Sequence, residues 1–121
     1  MARPAPRPYQ PDPLECAILL LLLVQQEERT RARLAEITLK RLWNRRQLRD
    51  DFLREVQDWL FRAGWALFYA GTTFAIVKTK AVEGWPRVTS KDLRAELAKV
   101  ARGEFDFSRH YGLLSEDETE E

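Results

Sequence analysis

The chain is poor in the residues that do most catalytic and metal chemistry. It has one cysteine, Cys16, and one histidine, His110. A single cysteine forms no internal disulfide, and the two residues together assemble no zinc set. A nucleophile needs a base within reach and a third group to orient that base. Cys16 stands instead in an apolar run, and His110 lies beside Tyr111 near the end of the chain. The five glycines form no phosphate-binding loop. Asp50-Asp51 and the pair Glu104 and Asp106 have no partner motif and read as capping or solvated carboxylates. The expectation is a protein that is not an enzyme and takes no cofactor, metal or small-molecule ligand.

A membrane-length run is also missing. The segment Leu14 to Val24, interrupted by Glu15, spans about 16 Å as a helix against a hydrocarbon core of about 30 Å. Gln25-Gln26-Glu27-Glu28 follows it with no small-residue cleavage site, the wrong flanks for a signal-peptide core. A cytoplasmic protein with no membrane partner is expected. Charge of one sign is scarce as well, since the net charge is only +1. The distribution is uneven, however. Between Arg29 and Arg62 there are ten Lys or Arg against five Asp or Glu, whereas Ser115 to Glu121 holds five acids and no base.

What is present is ample apolar material, 45% of the chain, enough for the core of one domain. Five of the six prolines fall within residues 1–13, which predicts a flexible Pro/Arg-rich arm over 1–12. Asp12 can cap a first helix with Pro13 at its first position, running to Gln26. Its apolar character covers the whole circumference, so a second chain packed on residues 14–26 is expected, making a homodimer.

Thr30 is placed to cap a second helix over 31–43, with Leu34, Ile37, Leu39 and Leu42 facing inward. The polar gap Asn44-Arg45-Arg46-Gln47 separates it from a third helix capped by Asp50. Phe52, Leu53, Val56, Trp59, Leu60 and Ala63 give that helix a broad apolar face. No Gly or Pro divides the two, so the gap and the Asp50-Asp51 start are what argue for a break over one long bent helix. Gly64 is placed to end the third helix in the left-handed conformation. Strand-like segments follow over Trp65–Tyr69 and Thr73–Lys80, joined by Ala70-Gly71-Thr72. Pro86 makes residues 82–88 a loop or edge segment. Thr89 and Asp92 form a capping-box-like pair for a last helix over 90–102, with Leu93, Leu97 and Val100 on one side and Gly103 at its end. The predicted domain is 13–103, with a tail over 104–121 that is acidic and disordered from 115.

The fold class expected is mainly α with a small β-hairpin. The order of three helices, a hairpin and a further helix resembles the winged helix-turn-helix superfamily over residues 14 to 88. The stretch Leu60-Phe-Arg-Ala-Gly-Trp-Ala-Leu-Phe-Tyr-Ala-Gly-Thr-Thr-Phe-Ala-Ile-Val-Lys78 looks like its junction between third helix and wing. The resemblance implies a winged-helix-like three-helix core with a wing, binding double-stranded DNA as a dimeric transcriptional regulator. Arg45, Arg46, Arg49, Lys78 and Lys80 would then contact the backbone, with Arg54 at a base edge. The chain departs from that pattern at Asp50 and Asp51, which repel phosphate at the helix end expected to enter a groove. The alternative is a protein-interaction module that joins a larger assembly through the apolar first helix and Trp85, without nucleic acid.

Overall fold

The computed structural model describes residues 9–115. Of these, residues 9–85 form one compact unit and residues 86–115 another. The disorder expected of the last residues falls on 116–121, outside the described residues, as does most of the expected arm.

The first unit is mainly α with a small antiparallel sheet, an arrangement compatible with a winged-helix topology. Helix α1 (Pro13–Gln26) begins as its sequence indicates, and more firmly. Asp12 accepts from the Glu15 amide while the Glu15 carboxylate accepts from the Asp12 amide, closing a capping box. Only one side of α1 is buried, through Cys16, Ala17, Leu20 and Val24; Leu14, Ile18 and Leu22 remain exposed along the other.

The second predicted helix requires correction. Arg31–Leu34 is a strand, β1, and the helix α2 spans only Glu36–Trp43. Its N-cap position is Ala35, which supplies no side-chain bond, so Thr30 caps nothing there. Arg31 to Leu34 alternates between exposed and more buried positions, and its backbone pairs with a strand far along the chain. That pairing outweighs the helix-forming tendency of Arg, Ala and Leu. The shorter helix buries Leu39 and Trp43 and leaves Ile37 51% exposed, not inward.

Asn44 ends α2 in the left-handed conformation, with φ 52°. Helix α3 (Asp50–Arg62) follows, with Arg49 and not Asp50 at the N-cap position. Asp50 and Asp51 lie in its first turn, where negative charge suits the helix dipole. Val56 and Leu60 are buried and Phe52 and Leu53 partly so. Trp59 and Ala63 are exposed, which narrows the predicted apolar face. Arg62 lies over the Trp59 ring, 4.6 Å from its centroid.

Gly64 is the corner, with φ 90°. Strand β2 (Trp65–Tyr69) leads to a turn in which the Ala70 amide donates to Thr73, and β3 (Phe74–Lys78) returns. The strand order is β1-β3-β2, all antiparallel, with Trp65 paired to Lys78 at the hairpin base. The second strand stops earlier than its sequence suggests. The Thr79 amide and hydroxyl both donate to the Gly64 carbonyl, and Thr79–Val82 turns into a short helix, α4. Lys80 is therefore on a helix and shares no strand face with Lys78.

The core joins Cys16, Leu20, Leu39, Trp43, Val56 and Leu60 of the helices with Leu34, Leu67, Phe74 and Ile76 of the sheet. Among the described residues it contains no buried polar or charged side chain.

In the second unit, Thr89 accepts from the Lys91 amide and opens a 3-10 turn at Ser90–Leu93, not an α-helix. Helix α5 (Arg94–Ala101) follows. The predicted tail carries local structure: Asp106 caps a 3-10 segment at Phe107–Leu114, and Phe105 stacks on His110 at 5.2 Å.

Candidate nucleic-acid interface

The turn between α2 and α3, polar except for Leu48, is tied by hydrogen bonds to residues before α1. Asn44 donates from Nδ2 to the Tyr9 carbonyl, and its own carbonyl accepts from Gln10 Nε2. Arg45 reaches farther in and donates to the Pro11 carbonyl at 2.8 Å. Its guanidinium carbon lies 3.8 Å from the centre of the Phe52 ring, a stacked cation–π contact. Residues 9–11, which the sequence places at the end of a flexible arm, are thus bound across the turn.

Two hollows adjoin here. One of about 750 Å³ is lined by Gln10, Asn44, Gln47 and Phe52 with Arg45, Arg46 and Arg49. The other, of about 570 Å³, shares Asn44, Arg45 and Arg46 and adds Ile37, Lys40 and Arg41. Neither lining includes a carboxylate. Lys40 pairs with Glu36 at 3.0 Å one turn back; Arg41, Arg46 and Arg49 have no ion-pair partner among the described residues. The surface presents several cationic groups to these two hollows, with Arg45 held partly inside the protein as a brace.

The remaining predicted contacts are elsewhere. Lys78 pairs with Trp65 just past the C-terminal end of α3, and Lys80 follows on α4. The arginines stand at the other end of α3, a helix about 20 Å long. The hairpin tip lies nearer that end but carries no base. Tyr69 and Phe74 share a hollow of about 220 Å³ with Glu36, Leu48, Asp50 and Leu53. Arg54 is exposed one turn along α3 from Asp50 and Asp51 and is followed by Glu55 and Asp58. The structure brings Arg45, Arg46 and Arg49 together; Arg54, Lys78 and Lys80 do not join them.

Trp85 is half exposed and lines a separate hollow of about 430 Å³ on the outer face of the sheet. Phe68, Ala75 and Val77 complete its apolar floor, and Arg31 and Arg33 flank it. Sequence reasoning singled out Trp85 but missed its neighbours, because their grouping depends on β1. The only available signal was the alternation Arg-Ala-Arg-Leu.

Cys16 lies beneath the brace, its thiol directed at the Pro11 carbonyl 3.6 Å away. Burial pushes the thiol pKa up, and the nearby Arg45 guanidinium only partly offsets this. The neutral thiol is a poor nucleophile. Alkylation at mildly alkaline pH is therefore expected to be slow in the native protein and prompt after denaturation. Equal rates in the two states would contradict this placement.

Among the described residues no helix is long and apolar enough to cross a membrane, and no cluster of side chains could hold a metal ion. Comparison with known proteins gives no match to a family model, a curated protein or a solved structure.

Proposed function

We propose that this chain is a winged-helix-like DNA-binding protein that grips duplex phosphates with the α2–α3 turn and acts as a dimeric regulator without catalytic activity. The reading rests on the two adjoining hollows that carry Arg41, Arg45, Arg46 and Arg49 and no carboxylate. Arginine suits such contacts because its planar fork meets phosphate oxygens two at a time. The role assigned to the turn is backbone grip, which supplies affinity without sequence information. Asp50 and Asp51 oppose entry of the α3 start into a groove, so Arg54 is the weakest of the proposed contacts. The exposed row Leu14, Ile18 and Leu22 on α1 is the proposed dimer surface, in place of a helix enclosed on all sides.

The test is anisotropy of a labelled mixed-sequence duplex over a salt series. Affinity should fall steeply with salt, and a variant with Arg46→Ala and Arg49→Ala should lose about two units of the log–log slope. Absence of binding at low salt would refute the proposal. Sedimentation should give a dimer at micromolar concentration, and a monomer would remove the α1 interface. A protein-interaction role is the second reading, favoured by the apolar hollow that Trp85 and Phe68 share on the sheet.

A further inference from the structure

The sheet order leaves β1 at an edge. The Lys78 amide donates to the Thr30 carbonyl at 2.8 Å, which fixes the phase of the ladder. Ala32 opposite Ile76 and Leu34 opposite Phe74 then face β3 with their backbone groups. Arg31 and Arg33 fall between them, so their N–H and C=O groups point away from the sheet. Both residues are exposed, and no backbone partner for either lies on that side among the described residues.

Two hollows border this edge. The 430 Å³ hollow with Phe68 and Trp85 lies on the outer face of the sheet. The other, of about 300 Å³, lies between β1 and the end of α1 and is bounded by Leu23, Val24 and Leu34. An added strand sends alternate side chains to opposite faces, so one set would enter the apolar recess beside α1 and the other would run over the outer face that Arg31 and Arg33 flank. The charged groups along the way are Arg29, Arg31 and Arg33 against Glu27 alone.

We infer that β1 is a strand-addition site for an extended segment of a partner protein in which acidic residues alternate with apolar ones. Main-chain bonds to Arg31 and Arg33 would give the affinity, and the apolar recess beside α1 on one face with the arginines on the other the selectivity. A second copy of this chain is a poor occupant. Antiparallel pairing about Ala32 would set Arg31 opposite Arg33 of the other copy twice, and like charges directly opposite destabilise a sheet. The site shares no residue with the hollows on the α2–α3 turn, so it stands whether or not DNA is bound there.

The probe is a capped synthetic peptide of alternating Glu and Val, titrated into the full ¹⁵N-labelled chain beside a Lys–Val analogue and a short DNA duplex. The Glu–Val peptide should shift the Arg31 and Arg33 amides and slow their hydrogen exchange by roughly tenfold at saturation. A chain carrying Arg31→Glu and Arg33→Glu should bind it about tenfold more weakly and accept the Lys–Val peptide instead. Three results would overturn the inference: no binding at millimolar peptide, equal binding of both peptides to the native chain, or shifts at these amides with DNA but not with peptide.

Discussion

Replacing Trp43 with alanine is expected to lower unfolding stability by about 4 kcal/mol. Trp43 is the largest fully buried side chain among the described residues and closes the end of α2 against both neighbouring helices. Its indole N–H donates to the Cys16 carbonyl in α1 at 3.0 Å, and its ring meets Phe52 of α3 edge-on at 5.7 Å. Alanine would leave a cavity at a three-helix junction and remove one bond to a buried carbonyl. Folded domains are stable by only about 5–15 kcal/mol, so the loss is a large share of the total. Trp43→Phe separates the contributions, since it keeps most of the ring and removes the N–H, at a cost of about 1 kcal/mol for the bond plus a smaller void. Denaturant titration with an unchanged slope provides the measurement. A cost below about 1 kcal/mol for Trp43→Ala would mean that Trp43 does not occupy this junction.

The second large effect belongs to Gly64. Its φ of 90° is a conformation that a β-branched residue rarely adopts. A Cβ there would meet nothing closer than the Thr79 hydroxyl at 4.0 Å, so space is not the obstacle. Backbone strain is. Gly64→Val should cost about 3 kcal/mol and Gly64→Ala about 1–2 kcal/mol. If the chain relaxes instead, the Gly64 carbonyl moves and both bonds from Thr79 weaken, at 2.8 Å and 3.1 Å. Either response appears as reduced stability in denaturant and faster exchange at the Thr79 amide. Native stability in Gly64→Val would show that this corner is not held in its left-handed form.

These two residues also mark how far the amino-acid sequence can be read. Gly64 was legible because a helix-ending glycine is a local signal, complete within a few residues. The same holds for Asp12 and Pro13 at the start of α1 and for the apolar spacing of Val56 and Leu60. The hairpin announced itself through the aromatic and β-branched residues on either side of Gly71. β1 was not legible, because Arg-Ala-Arg-Leu suits a helix equally well and becomes a strand only through β3. Arg45 looked like a surface charge, and its commitment to Pro11 and Phe52 depends on chain brought from far away. Lys80 left the strand for a similar reason, since β3 ends at Lys78 and the Thr79 bonds to Gly64 close the ladder.

The basic surface was legible in part. Arg45, Arg46 and Arg49 are close in sequence, and the turn keeps them together. Their separation from Lys78 and Lys80 follows from the length of α3 and the direction of the hairpin, which no local pattern encodes. The outer-face hollow required three strands in register before Trp85 acquired neighbours.

The pairing of Arg31 with Val77 carries one more consequence. α2, α3 and β2 all lie between these partners in the chain. The hairpin can zip up locally, but the third strand must close a loop containing two helices, at a corresponding entropic cost. β1 is therefore expected to be the last piece of the sheet seated during folding and the first to peel away, which hydrogen exchange of its amides against those of β2 would test.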